Sequence, residues 1–139
     1  MPDVLRWDGY GHLRPNNPQL VALTAGAVST TAAGTIAPTT SAGAAPTVTA
    51  VTAFDQYGTF TLTPVTGGGA QAAGAVAKVF FANGMPKVPT AVMVTIYDQA
   101  NAAAIAATGT AVAADQFSIS TGVVLVTAHL YTVTYVVLV

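Results

Sequence analysis

The sequence predicts an all-β protein: a small antiparallel β-sandwich, jelly-roll-like, carried as a knob behind an extended N-terminal arm. Three observations carry that expectation. Apolar and polar residues alternate with period two at Thr59–Thr63 and again at Leu130–Val139, as they do on strands with one buried face. Turn chemistry (Gly67-Gly68-Gly69, Asn83-Gly84, Pro86 and Pro89) separates these short runs. A change of composition near residue 54 divides a tract poor in large side chains from one that can fill a core.

Residues 1–19 hold the only Trp and a turn-rich run of Gly9, Gly11, Pro15, Asn16, Asn17 and Pro18, which punctuates too often for a long helix. This stretch reads as an irregular anchoring segment whose apolar side chains are Val4, Leu5, Trp7, Tyr10 and Leu13. Residues 20–53 are dominated by Ala, Thr, Gly and Val and cannot build a core of their own. Thr, Gly, Pro38 and Pro46 oppose a helix here. The tract is therefore expected as a flexible linker or an extended arm with a reach of roughly 110 Å.

Residues 54–139 read as the β-knob. Phe60 and Leu62 share one face of the first strand. Ala75–Phe81 forms the next, with Ala77, Val79 and Phe81 inward if Lys78 faces water. Ala91–Tyr97 (AVMVTIY) is apolar and β-branched, as a central strand is. Asn101–Ala107 is open between a helical turn and a loop. Phe117 and Ile119 pair on one face of Gln116–Ser120. Tyr131, Val133, Tyr135, Val137 and Val139 share a face of the last strand, opposite Thr132 and Thr134.

Charge narrows the function classes. Charged residues make up 6% of the chain, against about 25% in ordinary soluble domains. The net charge of −1 gives no electrostatic footprint for nucleic acid or an acidic membrane surface. Residues 15–54 and 116–139 carry no charge at all. The second tract is long enough to span a bilayer, but Gln116, Ser118, Ser120, Gly122, His129, Thr132 and Thr134 interrupt it, so no membrane insertion is expected. Asp3, Arg6 and Asp8 break up the N-terminus against a signal peptide. A lone monomer needs charged surface to stay dispersed. Other subunits are therefore expected to cover much of this one.

The order GTFTLTPVTGGG, then AAGAVAKVFFANGMPKVPTAVMVTIYDQANAAAIAA, then DQFSIS, then LYTVTYVVLV resembles the small β-sandwich modules of tailed-bacteriophage fibres and capsid decoration proteins. The likeness covers roughly residues 56–139. Gln116 stands where such modules usually carry Gly before Phe. The resemblance implies a structural virion protein at the virion surface, a homotrimer attached to the major capsid protein or another virion protein by its N-terminal segment. The expected subunit interface is Phe80, Tyr131, Tyr135 and Val137. A receptor-binding fibre tip is the alternative, with Asp98, Asn101 and Asp115 as contacts for a host-surface glycan.

Reacting chemistry has few candidates. No cysteine is present, so no disulfide or thiolate site exists. His12 and His129 are the only histidines, and a zinc site wants three or four ligands; His12 with Asp8 supplies two. Asp115, Ser118 or Ser120, and His129 have the residue types of a triad, but no Gly-x-Ser-x-Gly elbow presents the serine. With no Glu and five scattered Asp, paired-carboxylate glycoside hydrolysis is poorly served. Gly67-Gly68-Gly69 lacks the Gly-Lys-Ser/Thr ending of a phosphate loop and reads as a hairpin connection. Trp7 and Tyr10 suit an anchor buried in a partner's groove. Tyr97, Tyr131 and Tyr135 suit packing better than a sugar-binding face. No cofactor, no metal and no enzymatic activity are expected.

Overall fold

The computed structural model describes residues 36–65 and 71–139 in full, and the backbone of residues 5–7, 13–15 and 27–28. Twelve strands form, and no α-helix appears among the described residues. β1 (Leu5–Trp7) and β2 (Leu13–Pro15) pair antiparallel, with Trp7 opposite Leu13. The segment expected to be irregular therefore contains a two-stranded ribbon. Val4, Tyr10, Asp8 and His12 lie outside the described residues.

The remaining strands form one ten-stranded sheet. They are β3 (Ala27–Val28), β4 (Ile36–Pro38), β5 (Thr47–Phe54), β6 (Tyr57–Thr63), β7 (Gly74–Phe80), β8 (Ala91–Asp98), β9 (Ala103–Ile105), β10 (Ala107–Ala113), β11 (Gln116–Thr121) and β12 (Tyr131–Leu138). The order across the sheet is β3-β5-β6-β12-β8-β10-β11-β7-β4, with β9 on β8, and every strand pairing is antiparallel. Ile96 faces Ile105 and Val92 faces Gly109, so β9 and β10 continue one register along the same edge of β8.

The sheet curls until β4 at one margin touches β5 near the other, which nearly closes it. The curl brings Phe117 on β11 edge-on to Tyr135 on β12, ring centroids 5.1 Å apart, although β10 and β8 lie between them in the sheet. The two halves of the sheet thus face each other across one core.

Alternation fills that core as the sequence implies. Phe60, Leu62, Ala77, Val79, Phe81, Phe117, Ile119, Tyr131, Val133, Tyr135 and Val137 are all buried, and Lys78 is exposed. Burying a large aliphatic or aromatic side chain is worth about 1.5–3 kcal/mol, so these positions hold the fold together.

Three expectations are revised. The boundary at residue 54 falls inside the sheet, because β4 and β5 come from the tract expected as an arm and bury Ile36 and Ala53. That tract builds no core of its own but borrows one by pairing with β7 and β6. Asn101–Ala107 is neither helix nor plain loop, since Ala103–Ile105 pairs with β8. Gly67-Gly68-Gly69 lies outside the described residues; the strands on either side of it, β6 and β7, are not neighbours in the sheet and do not pair as a hairpin.

Candidate functional site

The densest polar cluster among the described residues stands where β8 meets the start of β12. Asp98 ends β8 opposite Tyr131. Period-two alternation points it inward with Ile96, and it is only 2% exposed. A buried carboxylate must find donors. The turn after β8 supplies three: Oδ1 accepts from the backbone N–H of Ala100 (2.9 Å) and of Asn101 (3.3 Å), and Oδ2 accepts from Asn101 Nδ2 (2.9 Å). Ala102, at φ +50°, then leads the chain back into β9.

The fourth partner is His129, whose Nδ1 lies 3.0 Å from Asp98 Oδ2. Burial alone would raise the Asp98 carboxyl. The hydrogen bonds from His129, from the Asn101 side chain and backbone, and from Ala100 outweigh burial and hold it below the usual carboxylate value. An ionised carboxylate only accepts, so His129 donates from Nδ1. The ring stacks on Tyr131, centroids 6.2 Å apart.

His129 is positioned by the 122–130 loop, which is pinned at several points. Leu125 is buried. Val126 N–H donates to the Tyr131 hydroxyl (2.8 Å), Gln71 Nε2 to the Leu125 carbonyl (3.2 Å), Thr127 Oγ1 to Gln71 Oε1 (3.0 Å), and Ala128 N–H to the Pro64 carbonyl (3.0 Å). Burial pushes the Tyr131 phenol up, against the opposing pull of the Val126 N–H, and the Asp98 carboxylate adds to the rise. Beside His129 lies an open depression of about 360 Å³, bounded by Gln99, Ala100, Ala128, His129 and Leu130.

A histidine oriented by a buried carboxylate is a group that bases and metal sites use. The residues that would complete such chemistry lie elsewhere. Asp115 sits in the β10–β11 turn, at the opposite end of the sheet from His129. Ser118 and Ser120 lie on the outward side of β11, away from Phe117 and Ile119. The triad residues are therefore not brought together. Among the described residues no group of three or more His, Asp or Glu stands together. No helix there is long and apolar enough to cross a membrane.

The other candidate residues are redistributed as well. Tyr131, Tyr135 and Val137, expected at a subunit interface, belong to the chain's own core. Phe80 is half-buried on the outward side of β7 with Lys78. Asp98 and Asn101 stand together, but Asp98 is buried with both oxygens engaged, and Asp115 is at the far end. The proposed glycan trio is therefore not one surface. The His129–Asp98 contact has no signal in the local sequence, since 31 residues separate the two. Pairing the ends of β8 and β12 would have found it.

No protein-family model, no curated protein and no solved structure matches the chain.

Proposed function

We propose that this chain is a non-enzymatic structural protein of a tailed-bacteriophage particle, a capsid decoration protein or short head fibre. In this reading residues 1–19 dock on the major capsid protein or another virion protein, and the sheet domain is displayed at the virion surface, with three copies in each unit. The observation that supports it is the near absence of ionic groups from the domain's exterior. Asp55 and Asp98 are buried, which leaves Lys78, Lys87 and Asp115 as the charged side chains exposed among the described residues. A domain so poor in surface charge is suited to life inside an assembly. The resemblance in composition and in the order of sequence segments to fibre and decoration modules suggests the kind of assembly.

The test is occupancy on purified particles. Trp7→Ala should lower the number of copies per particle severalfold while leaving the circular dichroism of the isolated chain unchanged. Equal occupancy of variant and wild type would count against the docking role.

A fibre-tip reading has one observation in its favour. The open depression beside His129 and Gln99 has the exposed Tyr97 and Asn101 close by in the chain, and an aromatic with amide groups suits a sugar. Binding of the purified chain to a glycan array, lost in Tyr97→Ala, is the outcome this reading requires.

A further inference from the structure

A sheet with one wet face should be polar on that face along its whole length. The outward face of β6, β12 and β8 obeys this at one end only. Thr59, Thr134 and Thr95 form a cross-strand row, and Thr61 and Thr132 stand side by side in the next, with the exposed Tyr97 and its hydroxyl completing it on β8. Two residues further along β12 the pattern reverses. Tyr57, Val136 and Met93 stand directly across from one another, and Leu138 faces Ala91 in the following row. On β10 the register sets Thr108 beside Met93 and Thr110 beside Ala91, and Val112 follows at the margin, past the start of β8. Met93 is 63% and Val112 62% exposed, more than any other large apolar side chain described, and Tyr57, Val136 and Leu138 are about half exposed.

No ionic side chain projects from this face. In β5, β6, β8, β10 and β12 the only charged residue is Asp98, which points inward. The four strands β6, β12, β8 and β10, about 4.8 Å apart and seven or eight residues long at about 3.4 Å each, span roughly 19 by 26 Å. That is about 500 Å² on each partner, so two such faces bury about 1,000 Å², the least that a specific interface clears.

Charge decides the occupant. A partner with an ordinary charged surface would have to strip water from its ionic groups and set them against Met, Val and Leu without compensation. A surface of the same neutral kind pays no such penalty, and this chain carries one. We propose that the outward face of β6, β12, β8 and β10 is the contact surface between copies of this chain, with Met93, Val136 and Leu138 at its centre, Val112 at its β10 margin and the threonine rows at its rim. The inference deepens the assembly reading above and moves the subunit contact from the residues expected earlier to the opposite side of the same strands.

The test uses the purified full chain. Native mass spectrometry and sedimentation should give a multiple of 13.9 kDa at micromolar concentration. A double variant, Met93→Lys with Val136→Lys, should weaken self-association by roughly thirtyfold or more, the effect of losing a central anchor. Val124→Lys, between Met93 and Val136 in exposure but on the 122–130 loop, should leave the mass unchanged. Because the chain has no cysteine, Met93→Cys gives a second readout that disturbs folding less: a short bismaleimide should cross-link copies through it, and should not do so through Val124→Cys. A wild-type chain that stays at 13.9 kDa, a double variant that assembles like wild type, or no cross-link at Met93→Cys overturns the proposal. Self-association that persists in a chain absent from particles would sink the virion reading and leave this one standing.

Discussion

At the scale of single residues, the structure turns on a few places where one side chain needs another to be small or charged. Tyr135 reaches through the core to donate its hydroxyl hydrogen to the Phe54 carbonyl at 2.6 Å. It can do so because the residue opposite it on β6 is Gly58. A Cβ there would sit 2.7 Å from Ala53 Cα and 2.8 Å from the Tyr135 oxygen. Gly58→Ala should therefore destabilise the fold by about 1–3 kcal/mol through overpacking, read as a lower urea midpoint. Burial, and then the Asp55 carboxylate, raise the Tyr135 phenol, so the stability it contributes is present below about pH 10 and lost as the pH rises further. Asp98 has the opposite sign. Its carboxyl is held below the ordinary value, so its contribution is present above about pH 4 and lost as the pH falls through the lower folded value. The thermal midpoint should fall on acidification below that point, and Asp98→Asn should remove much of the acid dependence while lowering the midpoint at pH 7. An acid profile identical in Asp98→Asn and wild type would refute this role.

At the scale of elements, buried carboxylates tie turns to one another. Asp55, at the tip of the β5–β6 hairpin, accepts from the backbone N–H of Ala82 (2.7 Å) and of Asn83 (3.2 Å), just past the end of β7. Asp55→Ala strands both amides and should cost about 2–3 kcal/mol, with faster hydrogen exchange at Ala82 and Asn83 before any change in β12. The strands that alternate large apolar residues (β6, β7, β11 and β12) were legible in the sequence. Two others were not, for identifiable reasons. In β10 (ATGTAVA) the inward positions are Ala107, Gly109 and Ala111, so no apolar period shows. Gly109 is required because it faces Val92, where a Cβ would lie 2.5 Å from Cγ1. In β5 a bulge at Ala50 (φ +48°) shifts the pairing between Thr49 and Thr52, which throws Val48 and Val51 out of phase and hides the strand in an arm-like composition. The Asp98–His129 site was hidden for a related reason: its members meet only through the register of β8 against β12, and register is not a local property. The outward apolar rows were equally hidden, because Val136 and Leu138 declare themselves only when Met93 and Ala91 are set opposite them.

At the scale of the whole molecule, the last strand in the chain is an interior strand of the sheet, next to its middle strand β8. β12 lies between β6 and β8, and its inward residues Tyr131, Val133, Tyr135 and Val137 form the centre of the core. Its partners were made long before it: Tyr135 bonds to a carbonyl 81 residues earlier. Until β12 arrives, β6 and β8 present open edges and the two halves of the sheet have nothing to pair through. Contacts of such sequence separation close slowly, so folding should fall in the millisecond-to-second range of non-local β topologies rather than the microsecond range of helical bundles. The sharper expectation concerns truncation. A chain ended after Leu130 loses four core side chains and exposes two strand edges, and edges of that kind pair with other chains. It should lack the near-ultraviolet signature of packed aromatics and should aggregate. A chain that instead lacks the N-terminal residues 1–26 keeps every strand of the ten-stranded sheet and should retain that signature. Comparing near-ultraviolet circular dichroism and sedimentation of the two truncations separates these outcomes. If the chain without β12 stays folded and monodisperse, the sheet does not depend on the strand that joins β6 to β8, and the core does not rest on Tyr131, Val133, Tyr135 and Val137.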